Sequence, residues 1–254
     1  SRCSECGGEQ LQYKGTGIQK AEELLRTEFP TASMLRMDQD TTRRKGSHVS
    51  ILQEFGHGKV DILLGTQMVS KGLDFPGVAL VGVLQADVGL HIPDFRGSEK
   101  TFQLLTQVAG RAGRTDNLGE VVIQTYLPTE PSVVAARDHD YEAFVRAELS
   151  GRKELHYPPF CRLARVVVEN ENERRARDRI ERIGGLIAAR GGKALQIMGP
   201  SPAVLSRVKS AYRFSLIVRT ESPRALRRTL AEVRAGHRRK EGKLVIDVDP
   251  LNML

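Results

Sequence analysis

Nothing in the chain is long and apolar enough to cross a bilayer: no run of about eighteen apolar residues occurs anywhere in it. The opening residues, Ser1-Arg2-Cys3-Ser4-Glu5-Cys6, also lack the apolar stretch of a secretion signal. Cysteine is scarce, three residues in all, of which two form a C-x-x-C pair. That number cannot staple a secreted fold, and it suits a reducing, cytoplasmic compartment. The six histidines have no metal-ligand spacing and read as surface residues. Missing too are a glycine-rich loop ending in Gly-Lys-Ser/Thr and the acidic pair that accompanies it. A complete P-loop hydrolysis site therefore cannot be assembled by this chain alone.

Acidic charge is short in one region only. Residues 156–254 carry 21 Lys and Arg against 10 Asp and Glu, a net +11, whereas residues 1–155 carry 18 against 21, a net −3. All the excess positive charge of this +8 chain thus lies in its last part, which points to an anionic partner, nucleic acid foremost, with a solubility surface as the other reading.

What is present centres on two strings. An apolar run, Ile62-Leu63-Leu64, reads as a buried parallel strand opening into Gly65-Thr66-Gln67-Met68-Val69-Ser70-Lys71-Gly72-Leu73-Asp74-Phe75-Pro76. Further on, Gln107-Val108-Ala109-Gly110-Arg111-Ala112-Gly113-Arg114 continues an amphipathic helix. On a helix, Arg111 and Arg114 at i,i+3 project from one face, and the small residues around them leave room for a ligand. Two permanently charged forks suit a polyphosphate; taken alone, such a pair is also what an ordinary solvated helix face carries.

Together the strings resemble motifs V and VI of superfamily 2 helicases. The fuller string, with Leu80-Val81-Gly82-Val83-Leu84-Gln85-Ala86-Asp87 after it and Asp247-Val248-Asp249-Pro250 near the end, resembles the PriA family of bacterial replication-restart helicases. The resemblance runs from Cys3 to Pro250 and implies that an upstream DNA-binding domain and a first motor lobe belong to the whole protein. It implies that Arg114 is an arginine finger, that Arg111 binds the γ-phosphate, and that Gln107 couples nucleotide to DNA. Gly72 and Asp74 would face ATP and its Mg²⁺ across a lobe interface, and Thr66 would bond a phosphate of single-stranded DNA. Lys71, between them, reads either as a DNA or nucleotide contact or as an exposed loop lysine. Cys3 and Cys6 match the last pair of a cysteine-rich zinc-binding insert, so Zn²⁺ would need partner cysteines from upstream.

The chain in order reads as an α/β protein. Residues 1–14 end the zinc-binding region. Residues 15–129 alternate helix and strand and are expected to form the second RecA-like, parallel-sheet helicase lobe. Helices are expected at 18–29, with Ile18, Ala21, Leu24, Leu25 and Phe29 on one side, after Thr41 or Thr42, and at 98–114. Strands are expected at 33–37, 60–64, 78–84 and 120–126, with a loop after Asp87 through Pro93. Residues 130–155 read as a helical connector, with Val133, Val134, Phe144, Val145 and Leu149 as packing positions. His156-Tyr157-Pro158-Pro159-Phe160 ends it and marks the boundary of a basic domain, 156–254.

That domain reads strand 163–168, helix 172–190, strand 194–198 stopped by Gly199-Pro200-Ser201-Pro202, strand 212–219, helix 223–234, strand 244–248. This βαββαβ order is that of a ferredoxin-like α+β fold. Its basic residues cluster as Arg174, Arg175, Arg177, Arg179 and Arg182; Arg207, Lys209 and Arg213; Arg224, Arg227 and Arg228; and Arg238, Arg239 and Lys240. With few aromatics beside Tyr212 and Phe214, phosphate contact without base readout fits better than a stacking platform.

By resemblance, this domain would hold single-stranded and forked DNA and meet the acidic tail of single-stranded DNA-binding protein, among primosome proteins. The expected function is that of the C-terminal portion of an ATP-dependent 3′→5′ helicase restarting replication at stalled forks, inactive by itself. The alternatives are a non-catalytic DNA- or protein-binding module with a lobe-like fold, and another superfamily 2 motor such as a branch-migration helicase.

Overall fold

The computed structural model describes residues 17–38, 47–66, 75, 77–110, 119–238 and 241–253. The chain divides into two compact units, Ser1–Gly89 with Lys100–Tyr141, and Leu90–Glu99 with Glu142–Leu254.

In the first unit, α1 (Ile18–Glu28) ends where Pro30 removes a backbone donor, the last turn closing with Phe29 N–H donating to Leu25 O at 2.8 Å. Its inward stripe is Ile18, Ala21 and Leu25; Leu24 and Phe29, expected on that side, are more than half exposed. The i, i+3, i+7 positions fall within one narrow face, and Leu24 and Phe29 lie to its side.

Strand β1 (Met34–Met37) pairs in parallel with β2 (Ile62–Gly65), Met34 against Ile62 and Met37 against Gly65, with α2 (Ser47–Gly56) as the crossover between them. Register is fixed at the entry: the Asp61 carboxylate accepts from Ser33 N–H at 2.8 Å and from its hydroxyl at 2.7 Å. Those two bonds, the hydroxyl's first, hold the Asp61 carboxyl below its ordinary range.

Strand β3 (Leu80–Val83) pairs in parallel with β4 (Glu120–Ile123), and α3 (Gly97–Ala109) precedes β4. Where a loop was expected after Asp87, a 3-10 helix covers Ala86–His91. It is pinned as it leaves β3, since Ala86 N–H donates to Gln124 O at 2.9 Å and Asp87 Oδ1 accepts from Tyr126 N–H at 3.0 Å. Helix α3 runs to Ala109 and Gly110 is a turn residue; the rest of the expected 98–114 helix lies outside the described residues.

The expected single connector is two helices, α4 (Pro131–Arg137) and α5 (Tyr141–Glu154). His139 has a left-handed φ of 53° between them, and Asp140 N–H reaches back to Ala135 O at 2.9 Å. This is a Schellman closure, which ends a helix without proline or glycine. Val133 and Phe144 are buried as expected, whereas Leu149 is exposed.

In the second unit Arg152 of α5 lies 2.7 Å from both Glu99 and Glu148, its guanidinium 5.2 Å from the Phe95 ring centre, and Phe95 stacks on Tyr157 at 5.2 Å. Burial opposes the Arg152 charge, but the two carboxylates outweigh it and raise its pKa.

Strands β5 (Arg162–Asn170), β6 (Gln196–Val208), β7 (Ala211–Thr220) and β8 (Lys243–Val248) form an antiparallel sheet in the order β6-β7-β5-β8. Helices α6 (Glu173–Gly191) and α7 (Pro223–Ala235) cover it, each started by a side-chain cap, Asn172 Oδ1 to Arg175 N–H and Ser222 Oγ to Ala225 N–H. The core is a period-2 set on the strands, Ala164, Val166, Val168, Phe214, Leu216 and Val218, meeting a helical set, Ala176, Ile180, Ile183, Ile187, Leu226, Leu230 and Val233.

Strand β6 does not stop at Gly199-Pro200-Ser201-Pro202 as expected; it runs on to Val208. Its ladder to β7 is irregular between Met198 and Ser201 and again between Pro202 and Arg207. Proline is tolerated on an edge strand at bulges, and Gly199 supplies the positive φ of 95° that the kink needs. Gly242 at φ 101° is needed for a different reason: a Cβ there would sit 2.4 Å from Glu169 O, where the chain enters β8.

Candidate functional site

Ligands of a parallel α/β unit gather beyond the C-terminal strand ends, because crossovers leave a crevice there. Strand β2 delivers Thr66 to that end, exposed, one residue past Gly65. Register places buried Asp38 at the same end, one residue past Met37 of β1. Arg36 ties Asp38 to α1: it lies 3.0 Å from the Asp38 carboxylate and 2.9 Å from that of Glu22. Glu22 also pairs with Arg26 at 2.9 Å, the leading cause of its lowered pKa. Phe75 packs edge-on to Phe55 of α2 with ring centres 4.9 Å apart. Neither Asp38 nor Phe75 was singled out from the sequence; an acid directly after a strand was the available signal.

Helix α3 carries Gln107, half-buried, in its last turn. Phe102 and Leu105 bury the opposite side, and Gly89 fits close against Thr101, whose Oγ1 would lie 2.8 Å from an added Cβ. The last described helical bond runs from Gly110 N–H to Thr106 O at 3.1 Å. Arg111, Arg114, Lys71, Gly72, Asp74, Cys3 and Cys6 lie outside the described residues, as do Thr41 and Thr42. Of the nine expected site residues, Thr66 and Gln107 are placed, each in the first unit. Among the described residues no three His, Cys, Asp or Glu side chains converge as a metal site, and no helix is long and apolar enough to cross a membrane.

In the second unit the basic clusters differ in what faces them. Arg179 lies 3.0 Å from Glu241 and Arg213 3.2 Å from Glu169, both arginines largely covered. Arg177 lies 2.9 Å from Glu173 and Arg190 3.0 Å from Glu232, at the surface. These pairs spend much of the helical positive charge internally, and the exposed ones contribute little to stability. Cys161 is buried, its thiol donating to His156 O at 2.9 Å. Burial pushes its pKa up, Glu221 and Asp249 add to this and Arg219 opposes it, which makes Cys161 a packing residue rather than a nucleophile.

A family model described as the helicase conserved C-terminal domain matches residues 11–116, and one described as the primosomal protein N C-terminal domain matches residues 153–251. Replication restart protein PriA of Bacillus subtilis (strain 168) is 46% identical over 99% of this chain and 32% of its own length. Over nearly its whole length the chain matches the C-terminal part of PriA proteins.

The PriA of Synechocystis is 43% identical over 87% of this chain and 26% of its own, and that of Chlamydia trachomatis 40% over 98% and 33%. The chain therefore spans about a third of the length of the curated PriA relatives it matches. The helicase match takes in β1 to α3 with Thr66 and Gln107, and the primosomal match takes in the whole β5–β8 sheet with α6 and α7.

Proposed function

We propose that this chain is the second motor lobe and basic C-terminal domain of an ATP-dependent 3′→5′ DNA helicase, a cytoplasmic enzyme that recognises stalled or branched forks and restarts replication by primosome assembly. The observation that carries this reading is the helicase match over the unit that sets Thr66 past a parallel strand end and Gln107 in the last turn of α3. The 46% identity to a protein named for replication restart supports the same role.

In this reading ATP and Mg²⁺ bind between this lobe and a phosphate-cradling lobe that the present sequence does not encode. Arg114 stabilises charge on the transferring phosphoryl group, Arg111 holds the γ-phosphate, and Gly72, Asp74 and Gln107 face the nucleotide. Thr66 and Lys71 take single-stranded DNA. Cys3 and Cys6 supply two thiolates of a zinc site shared with further cysteines. The domain organisation follows: residues 1–14 close the zinc region, 15–129 form a RecA-like lobe, 130–155 connect, and 156–254 fold as a ferredoxin-like domain, whose β5-α6-β6-β7-α7-β8 order and antiparallel sheet support that description. The acidic tail of single-stranded DNA-binding protein is a partner of this basic domain.

The test is Arg114→Ala in a protein carrying both lobes. DNA-stimulated ATP hydrolysis is expected to fall about 10³- to 10⁵-fold while DNA affinity holds. Turnover within tenfold of the parent removes Arg114 from the role of finger.

A further inference from the structure

We propose that the β6–β7 hairpin, residues 201–213, is an arm that holds nucleic acid at a strand junction. Arg207 and Lys209 would lie on phosphates, and Val204, Leu205 and Val208 against the sugar and base surface that a junction exposes. The inference rests on the reading of this chain as a DNA-handling protein and names which element does the holding.

The arm is uncovered on both faces. Successive strand residues point to opposite sides, yet Val204 is 53% exposed, Leu205 56% and Val208 42%. The helices that bury Phe214, Leu216 and Val218 on β7 do not bury the outer half of β6, where every residue from Val204 to Val208 is exposed. Three large apolar side chains left about half exposed on one two-stranded projection gain only part of their burial from folding, and an exposed apolar cluster of this kind marks a binding surface.

Charge selects the class of ligand. From Gln196 to Thr220 the chain has Arg207, Lys209, Arg213 and Arg219 and no Asp or Glu. Arg213 is spent on Glu169, and Arg219 donates to Gln196 Oε1 at 2.9 Å. Arg207 and Lys209 meet no carboxylate among the described residues. Arg207 instead lies over the Tyr212 ring, 5.0 Å from its centre, which holds its guanidinium in place at the tip. Lys209 occupies the hairpin turn with a φ of 55°. Two unneutralised cations beside exposed apolar side chains match a polyanion that also offers apolar faces, which is nucleic acid.

A protein strand added along the edge of β6 is disfavoured by the same element. Pro200 and Pro202 carry no N–H, and two irregularities interrupt the ladder, so the edge offers no continuous row of donors and acceptors. Recognition by side chains at the tip remains.

The experiment measures binding of the full chain to a three-way forked DNA and to blunt duplex of the same length, by fluorescence anisotropy across a salt series. Arg207→Ala with Lys209→Ala is expected to weaken both by about ten- to a hundredfold at 0.1 M salt and to lower the log–log salt slope by about 2. Val204→Ser with Leu205→Ser is expected to leave the slope unchanged and to reduce the preference for fork over duplex at least threefold. Unchanged melting temperatures exclude misfolding, since all four side chains are exposed. If the parent binds DNA and both variants bind it equally well, this proposal falls while the helicase reading stands. A parent that binds no DNA overturns this proposal and moves recognition to the upstream DNA-binding domain, while the helicase reading answers to the Arg114 test. Loss of binding to a poly-glutamate peptide, or of self-association, with DNA binding intact would also overturn the proposal and assign the arm to an acidic protein or to a second copy.

Discussion

The two units bury their strands in different ways. In the second, β5, β6 and β7 run to nine, thirteen and ten residues, and Val166, Val168, Leu216 and Val218 are sealed beneath two helices. In the first, β1, β2, β3 and β4 have four residues each; Ile62, Leu63 and Leu64 are only half-buried, and Leu80 and Val122 are more than half exposed. Antiparallel neighbours such as β6 and β7 close through a two-residue turn, whereas parallel pairs need crossovers whose closing costs chain entropy. The contrast fits the proposed function: a domain that holds DNA by shape would benefit from a sealed core, and strand-end loops that respond to a nucleotide would come from less stable structure.

The largest test of that contrast is Ile180→Ala, which empties a fully buried position in the second unit and is expected to cost about 2–5 kcal/mol. Denaturant unfolding followed by tryptophan-free probes on each unit should show the loss in the second unit's transition alone. Loss in both transitions would mean that the units unfold together.

Next in size is Arg152→Ala, which leaves Glu99 and Glu148 without their shared cation and is expected to cost about 2 kcal/mol, Glu99 being partly screened by solvent. Asn172→Ala removes the cap on α6 and should cost about 1 kcal/mol, read from the same transition. Hydrogen exchange sharpens the comparison without a mutation: β5 amides, paired on both sides, should exchange more slowly than those of β1 and β2.

The smallest effect concerns Cys161. Its folded pKa is raised, so the stability that it contributes is full below the unfolded thiol's pKa and is lost as pH rises through the folded value. Stability should therefore decline above about pH 9, and alkylation by iodoacetamide at pH 8 should be slower in the folded chain than in denaturant.

Much of the element order could be read from residue pattern. Seven of the eight strands, the helices α1, α6 and α7, and the starts of β6 and α3 fall within a few residues of their expected positions, because most have a clear period and a stop such as Pro30 or Gly192. The misses share a cause. Leu24 and Leu149 had helical spacing but lie outside the covered stripe, and coverage depends on what packs against a helix. His139 ends α4 in the left-handed conformation, which histidine adopts more readily than most residues but which its presence in a sequence does not specify. Gly199, Pro200 and Pro202 read as a stop because an edge strand cannot be told from an inner one before the sheet order is known.

The candidate site divides along the same line. Sequence alone determined which residue types stand at Thr66, Gln107, Arg111 and Arg114, and how unequally charge is shared between the two halves of the chain, because composition and motif spacing are properties of order. Tertiary structure decided which charges remain available. Arg179 and Arg213 look no different in sequence from Arg207 and Lys209, yet Glu241 and Glu169 reach the first two across the fold and, among the described residues, nothing acidic reaches the others. Ion pairing depends on distance in space, and residues 62 and 44 positions apart in the chain become neighbours only when the sheet has formed.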